Sequence, residues 1–387
     1  MTTRGETLQL ATRGSDLALR QAATVRDSLS SRRLSVELVE VETTGDQIRD
    51  ELIHRLGKTG AFVRSLDEKV LDGELDAAVH SMKDMPTERP ERLVVAAVPE
   101  RAAAADVLVT PDGRSLEELP EGATVGTSSL RRKAQLLAER DDLTVEPLRG
   151  NVDTRLAKLL APSLQQEHQE RHEAEQEQTD DAEDSDTDES DTDKKEHPYD
   201  RTVEEWFDDL TEFERRAMER DPDVEYDAIV LAKAGLHRAG LTRYVEMSDL
   251  DPDRFVPAPG QGALAVTAVD GDLALDIKDR LDNPQTRIET TVERTILEEL
   301  GGGCVAPIGV HAQLEGGVVH TRVRVLSQDG TEEVSVGRDI PAEYHIDAAQ
   351  DLAAELAEQG ADDLIAEAKR DSIDADDASA AREEVEE

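Results

Sequence analysis

Along the first 160 residues, short apolar runs alternate with stretches whose apolar positions recur at helical spacing. Leu8–Thr12 reads as a strand, Arg13-Gly14-Ser15 as a turn, and Asp16–Leu29 as a helix with a serine N-cap and an acid in its first turn. Leu34–Val41 alternates as a strand. A turn at Thr43–Asp46 and the glycine-bracketed loop Gly57-Lys58-Thr59-Gly60 precede a helix predicted over Phe62–Leu71. That loop is too short for a nucleotide-type phosphate loop. Asp76–His80 then reads as a buried strand, followed by the polar run Ser81–Pro86.

The pattern recurs downstream. Thr124–Thr127 is a strand, Ser128-Ser129 a cap, and the next helix carries Arg131 and Arg132 in its first turn. Leu143–Leu148 is a strand, Arg149-Gly150-Asn151 a turn, and Val152–Leu160 a helix with Arg155. Asp227–Leu231 echoes Asp76–His80. Alternating strands and helices predict an α/β fold, and the echo predicts two lobes of one design closing on a cleft.

The second lobe carries extra chain. Residues 161–225 hold 26 acidic and seven basic residues, and Glu173–Glu196 has so few apolar side chains that disorder is expected. Thr202–Arg220 opens with a capping box and places Val203, Trp206, Phe207, Leu210, Phe213 and Ala217 on one face, which predicts a helix docked on the second lobe. His168 and His172, four apart, imitate half a metal site; with no further ligand at useful spacing they read as part of a solvated segment. Proline and glycine in Phe255–Gly262 suit a hinge before the apolar strand Ala263–Val269. A helix over Thr286–Leu300, strands near Ile308–Leu314, Val318–Leu326 and Thr331–Val336, and a helix over Ile346–Lys369 make a small α+β unit. The expected division is 5–100 with 263–281 for the first lobe, 105–256 for the second, 284–370 for the third domain, and 371–387 as an acidic disordered tail.

Composition narrows the functions. No apolar run approaches the roughly 18 residues of a membrane span, and the N-terminus has no signal-peptide core. A single cysteine fits a reducing cytoplasm. A net charge of −45, with only ten lysines among 44 basic residues, repels nucleic acid and resembles the proteins of salt-loving archaea.

Against that charge, Arg13, Arg131, Arg132, Arg149, Arg155 and Arg238 all follow predicted strands, where α/β lobes bind ligands. Any one of them suits a surface ion pair; six together suit a substrate with several carboxylates. Asp84 lies on the same rim. It is either a salt bridge to Lys83 or a carboxylate placed for a positive centre or a proton that appears during reaction. Cys304 follows three glycines at the end of a helix. It is either a small buried hydrophobe or a thiol that a ligand can reach.

Several motifs resemble the porphobilinogen deaminase family: Ala11–Ser15, Val79–Pro86, Val125–Arg132, Leu148–Asn151, Pro259–Ala263 and Gly302–Gly309. The resemblance runs from about Leu8 to Lys369 apart from the insertion. It implies two lobes like those of periplasmic binding proteins, a third domain bearing the cysteine, and a dipyrromethane cofactor joined to Cys304 by a thioether. It further implies that porphobilinogen loses ammonia to give an azafulvene-like cation, that four units are added, and that hydrolysis releases a linear tetrapyrrole. Asp84 matches the catalytic aspartate. Ser15, Ser81, Lys83, Thr127, Ser129, Arg131 and Arg132 match cofactor contacts, and Arg13, Arg149, Arg155, Arg238, Gln21 and Gln261 match substrate contacts.

The resemblance implies no metal, a monomer, and a hand-over of product to the next enzyme of tetrapyrrole synthesis. Three features depart from the family: Lys58 is displaced by one place in its loop, Gly301 loosens the tether, and the insertion has no counterpart. The rival reading is a two-lobed polycarboxylate receptor without turnover, which needs neither Cys304 nor Asp84. An acidic scaffold that recruits a partner through the insertion is compatible with either.

Overall fold

In a computed structural model the described residues are 6–41, 61–183, 199–221, 224–303 and 306–371. Strand β1 (Glu6–Thr12) lies between β2 (Leu34–Glu40) and β3 (Ala77–Ser81), parallel to both. Helix α1 (Asp16–Leu29) starts where the Ser15 hydroxyl accepts from the Ala18 amide at 3.3 Å, and buries Ala22, Val25 and Leu29 against Leu8, Leu10 and Val79. Helix α2 (Ala61–Leu71) closes the other face through Leu66 and Val70. Each fully buried leucine here contributes about 1.5–3 kcal/mol. Strand β4 (Leu93–Ala97) forms one edge of this sheet.

The second sheet repeats the first. It contains β5 (Asp106–Thr110), β6 (Thr124–Gly126), β7 (Thr144–Glu146), β8 (Ala228–Ala232) and β9 (Glu246–Asp249), in the order β7-β6-β8-β5-β9. β6 is parallel to β7 and β8, as β1 is to β2 and β3. Helix α3 (Leu130–Glu139) follows β6, and α4 (Val152–Glu183) follows β7. The echo of Asp76 in Asp227 is physical. Asp76 accepts from the Gln9 amide at 2.7 Å, and Asp227 accepts from the Thr124 amide at 2.8 Å, so each pins the equivalent strand of its own sheet, β1 or β6.

The insertion departs from expectation. Helix α4 runs on to Glu183, through the first part of the stretch expected to be disordered. Pairs at i, i+4 support it, such as Arg171–Glu167 at 2.7 Å and Gln169–Glu173 at 2.9 Å. Residues 184–198 lie outside the described residues. The expected single helix over 202–220 is two, α5 (Val203–Asp209) and α6 (Glu212–Met218), because a second capping box, Thr211 with Glu214, starts a new helix after Leu210. Trp206 is buried against α4, with the His168 ring at 6.0 Å and the Arg171 guanidinium at 5.3 Å, so the docking holds. Phe207, expected on the buried face, is 38% exposed.

Helix α7 (Lys233–Ala239) follows β8, and β10 (Leu264–Val269) returns to the first sheet, antiparallel to β3 and β4, giving β2-β1-β3-β10-β4. The chain thus crosses between the sheets twice, and the crossings run side by side. The Ala102 amide donates to the Gly262 carbonyl, and Gly262, at φ +85°, sits where a Cβ would lie 2.4 Å from the Ala102 oxygen.

After α8 (Asp272–Leu281), helix α9 (Pro284–Glu299) packs on a meander of β11 (Ile308–Glu315), β12 (Val318–Leu326) and β13 (Glu333–Pro341). The expected last helix is broken. α10 (His345–Glu358) gives way at Gly360, with φ +98°, to a helix over 361–371. Residues 372–387, most of the expected tail, lie outside the described residues.

Candidate active site

The Ser81–Pro86 run, too polar for a strand, leaves β3 as a single 3-10 turn over Met82–Asp84. Met82 and Met85 are buried with Val63, Val98, Ala263 and Ala265, which leaves the residues between them, Lys83 and Asp84, to face a cavity of about 390 Å³. Ser129, Arg131, Arg132 and Arg155 line it from the second lobe, Gln261 from the crossing, and Gly302, Gly303 and Ala306 from the third domain.

The wall opposite Asp84 is organised by a residue that the sequence reading missed. Asp106, at the start of β5, is fully buried and accepts from Arg131 Nη2 and Arg132 Nη2, each at 2.7 Å. Burial alone would raise its pKa, but the two guanidiniums override that and hold it well below the carboxylate range. Both arginines are therefore heavily committed. Arg131 Nη1 donates to the Val256 carbonyl at 2.7 Å and Arg132 Nη1 to the Val230 carbonyl at 3.1 Å. They are fixed struts as much as open forks.

Lys83 and Arg155 feel the resulting field. Asp84 favours the Lys83 ammonium, yet burial, Arg132 and Arg155 together outweigh it and place the Lys83 pKa below its ordinary 10.5. Burial first, then Arg132, lower Arg155 to about 10, with Asp84 opposing. Burial and neighbouring cations thus disfavour the charged forms of both bases.

The expected anchor, Cys304, lies outside the described residues, as does Val305; the residues flanking them line the cavity. The glycines before it do not form the loose tether expected. Gly301, at φ +62°, donates to the Glu298 carbonyl at 2.9 Å and Gly302 to the Leu297 carbonyl at 2.8 Å, the two bonds of a Schellman cap on α9. Lys369 Nζ holds the Gly301 carbonyl at 2.6 Å. Gly301 is a helix stop, and only Gly303 stands in open space.

Seven expected residues thus line one cavity: Lys83, Asp84, Ser129, Arg131, Arg132, Arg155 and Gln261. The others stand around it in different roles. Ser15 caps α1, Ser81 occupies the N-cap position of the turn, and Thr127 Oγ1 accepts from the Ser129 amide at 3.2 Å. Arg238 Nη2 donates to the Gly262 carbonyl at 2.8 Å, bracing the crossing. Arg149 lines a separate cavity of about 310 Å³ with Lys158 and Arg220. Arg13 and Gln21 are half-buried, just after β1 and on α1. Lys58 lies outside the described residues. Arg64 on α2 also lines the main cavity, and a search confined to strand ends passes over it.

A third residue missed from sequence is Glu293. It is fully buried and accepts from Arg101 Nη1 at 2.8 Å, Arg101 Nη2 at 3.0 Å, the Gly260 amide at 2.6 Å and the Ala312 amide at 2.8 Å. One carboxylate of the third domain thereby ties both crossings.

Comparison with known proteins follows this geometry. A family model described as porphobilinogen deaminase, dipyromethane cofactor binding domain, matches residues 8–166 and 213–276, and one for the C-terminal domain matches 287–359. The unmatched stretch between 166 and 213 falls within the acidic insertion. A probable porphobilinogen deaminase of Halobacterium salinarum is 52% identical over 370 residues, 89% of this chain and 93% of its own. One from Methanosarcina acetivorans is 39% identical, covering 86% of each chain. One from Methanopyrus kandleri is 38% identical over 84% of this chain and 90% of its own.

Proposed function

The chain belongs to the porphobilinogen deaminase family, and from that premise we propose how its residues divide the work. The family activity is that of hydroxymethylbilane synthase, a transferase that deaminates porphobilinogen, joins four units head-to-tail on a covalent dipyrromethane and releases a linear tetrapyrrole by hydrolysis. A cavity of about 390 Å³ with cationic walls and the anchor's flanks at its rim suits two pyrroles with carboxylate arms. When bound, the dipyrromethane supplies the nucleophilic pyrrole carbon to which substrate is joined.

The chain's own residues hold and orient. Asp84 accepts from pyrrole N–H groups and offsets the positive charge that follows loss of ammonia. Lys83, Arg131, Arg132 and, through hydroxyls, Ser15, Ser81, Thr127 and Ser129 hold the cofactor, which Cys304 anchors. Arg13, Arg149, Arg155 and Arg238, with Gln21 and Gln261, receive the carboxylates of arriving units. Lobes of 5–100 with 263–281 and of 105–256 form the cleft, and 284–370 carries the anchor.

We place the enzyme in the cytoplasm as a salt-adapted monomer that binds neither membrane nor nucleic acid and passes its product to the next tetrapyrrole enzyme. Among the described residues no helix is long and apolar enough to cross a membrane. The observation that carries the reading is Asp84 in one cavity with Lys83, Arg132, Arg155 and the flanks of Cys304. The test is Asp84→Asn, which keeps the shape and removes the charge. Folding should persist while bilane formation falls by about a hundredfold or more. Near-normal turnover would refute the role given to Asp84.

A further inference from the structure

Helix α9 makes a second connection, one residue beyond Glu293. Arg294 Nη1 donates to the carbonyls of Met82 at 3.2 Å and Met85 at 3.1 Å, and Nη2 donates to the Pro86 carbonyl at 2.7 Å. Those three carbonyls bracket Lys83 and Asp84. The buried side chains of Met82 and Met85 hold the turn on its core side. Its backbone bonds are Met82 amide to Ala263 carbonyl, at 3.0 Å, and Met85 amide to Met82 carbonyl, at 3.2 Å. A guanidinium is a rigid fork of donors, and here it spans a bend that one ammonium could not cover. The same helix ends in the Gly301–Gly302 cap, and Cys304 is ten residues beyond Arg294.

We propose that Arg294 is a positioning residue, fastening the Lys83–Asp84 turn to the helix that leads to the anchor. The inference rests on the roles given above to Asp84 and Cys304. Loosening of the turn then reaches the chemistry by way of Asp84, while the primer's attachment is left intact.

The test compares Arg294→Ala and Arg294→Lys with the wild-type holoenzyme. Arg89→Ala serves as control, since Arg89 lines the small cavity behind the turn and has no hydrogen bond to it among the described residues. Arg294→Ala should lower kcat about tenfold or more while KM changes less than about threefold. Amide exchange should quicken at residues 82–86, with the primer still attached by mass. Arg294→Lys should fall between Arg294→Ala and wild type, as its ammonium reaches fewer carbonyls, and it supplies the same comparison should the alanine variant not fold.

A kcat within about twofold of wild type and unchanged exchange at 82–86 would overturn the proposal. So would a loss of activity matched by faster exchange along the whole of α9, because Arg294 would then hold the fold and not the turn. Failure of the wild type to consume porphobilinogen would count against the functional reading, and the exchange comparison would still decide what Arg294 holds.

Discussion

Arg132 meets Asp106 side-on, with Nη2 at 2.7 Å and Nε at 3.2 Å from the same carboxylate oxygen, while Arg131 takes the other oxygen at 2.7 Å. One buried acid thus fixes two cations of the cavity wall. Gln261 adds a bond to Asp106 at 2.8 Å and another to the Ala104 carbonyl at 2.6 Å, so the cluster also joins the two crossings.

Removing that acid should be severe, because it strands two buried guanidiniums. Asp106→Ala is expected to lose about 3–5 kcal/mol in denaturant unfolding. The sign with pH follows from the depressed carboxyl. Its stabilisation is complete above the ordinary carboxylate value of 3.8 and is lost only as pH falls further, through the folded-state value. The gap between wild type and variant should therefore stay constant at neutral pH and narrow only in acid. A gap below about 1 kcal/mol at neutral pH would show the cluster to be dispensable.

The glycines before the anchor should separate by role. Gly301→Ala forces a side chain into left-handed backbone and should cost about 1 kcal/mol by thermal unfolding, with the primer still attached. Gly302→Ala should act by another route, since its Cβ would sit 2.6 Å from Leu297 Cδ1 and that side chain must shift. Gly303→Ala should leave stability unchanged, as no described residue lies within 4 Å of the added Cβ. Equal effects at all three would contradict the cap.

Lys83 gives a pH-dependent trade between stability and binding. Its folded pKa lies below 10.5, so the buried ammonium destabilises the ligand-free protein at neutral pH, and that penalty fades as pH rises from the folded value to 10.5. Lys83→Met in a primer-free Cys304→Ser background should raise Tm near neutral pH, with the gain vanishing above about pH 10.5. In primed enzyme the same change should raise KM for the substrate. A lower Tm at neutral pH would mean that Asp84 more than repays the burial of Lys83.

Much of this architecture is legible in the sequence because it follows from local rules. The Ser15 cap, the strand before Asp84 and the echo of Asp76 in Asp227 each need only neighbours in the chain or a repeat of them. Asp106 and Glu293 are not visible in the sequence because their partners lie 19 to 192 residues away and a lone acid in so acidic a chain carries no signal. Gly301 was misread as slack because a run of glycines looks alike, and only the φ of +62° with two closing bonds shows which one stops the helix. Helix α4 outran expectation because a solvated acidic helix lacks the apolar stripe on which periodicity depends, although its i, i+4 pairs were there to be counted.

The covalent primer on Cys304 is the claim on which the account turns, and intact-protein mass spectrometry tests it most directly. Wild-type enzyme purified in an active state should exceed its polypeptide mass by one dipyrromethane and gain further pyrrole units during incubation with porphobilinogen. Cys304→Ser should keep the bare mass and form no bilane. Active wild-type enzyme at the bare polypeptide mass would contradict the account.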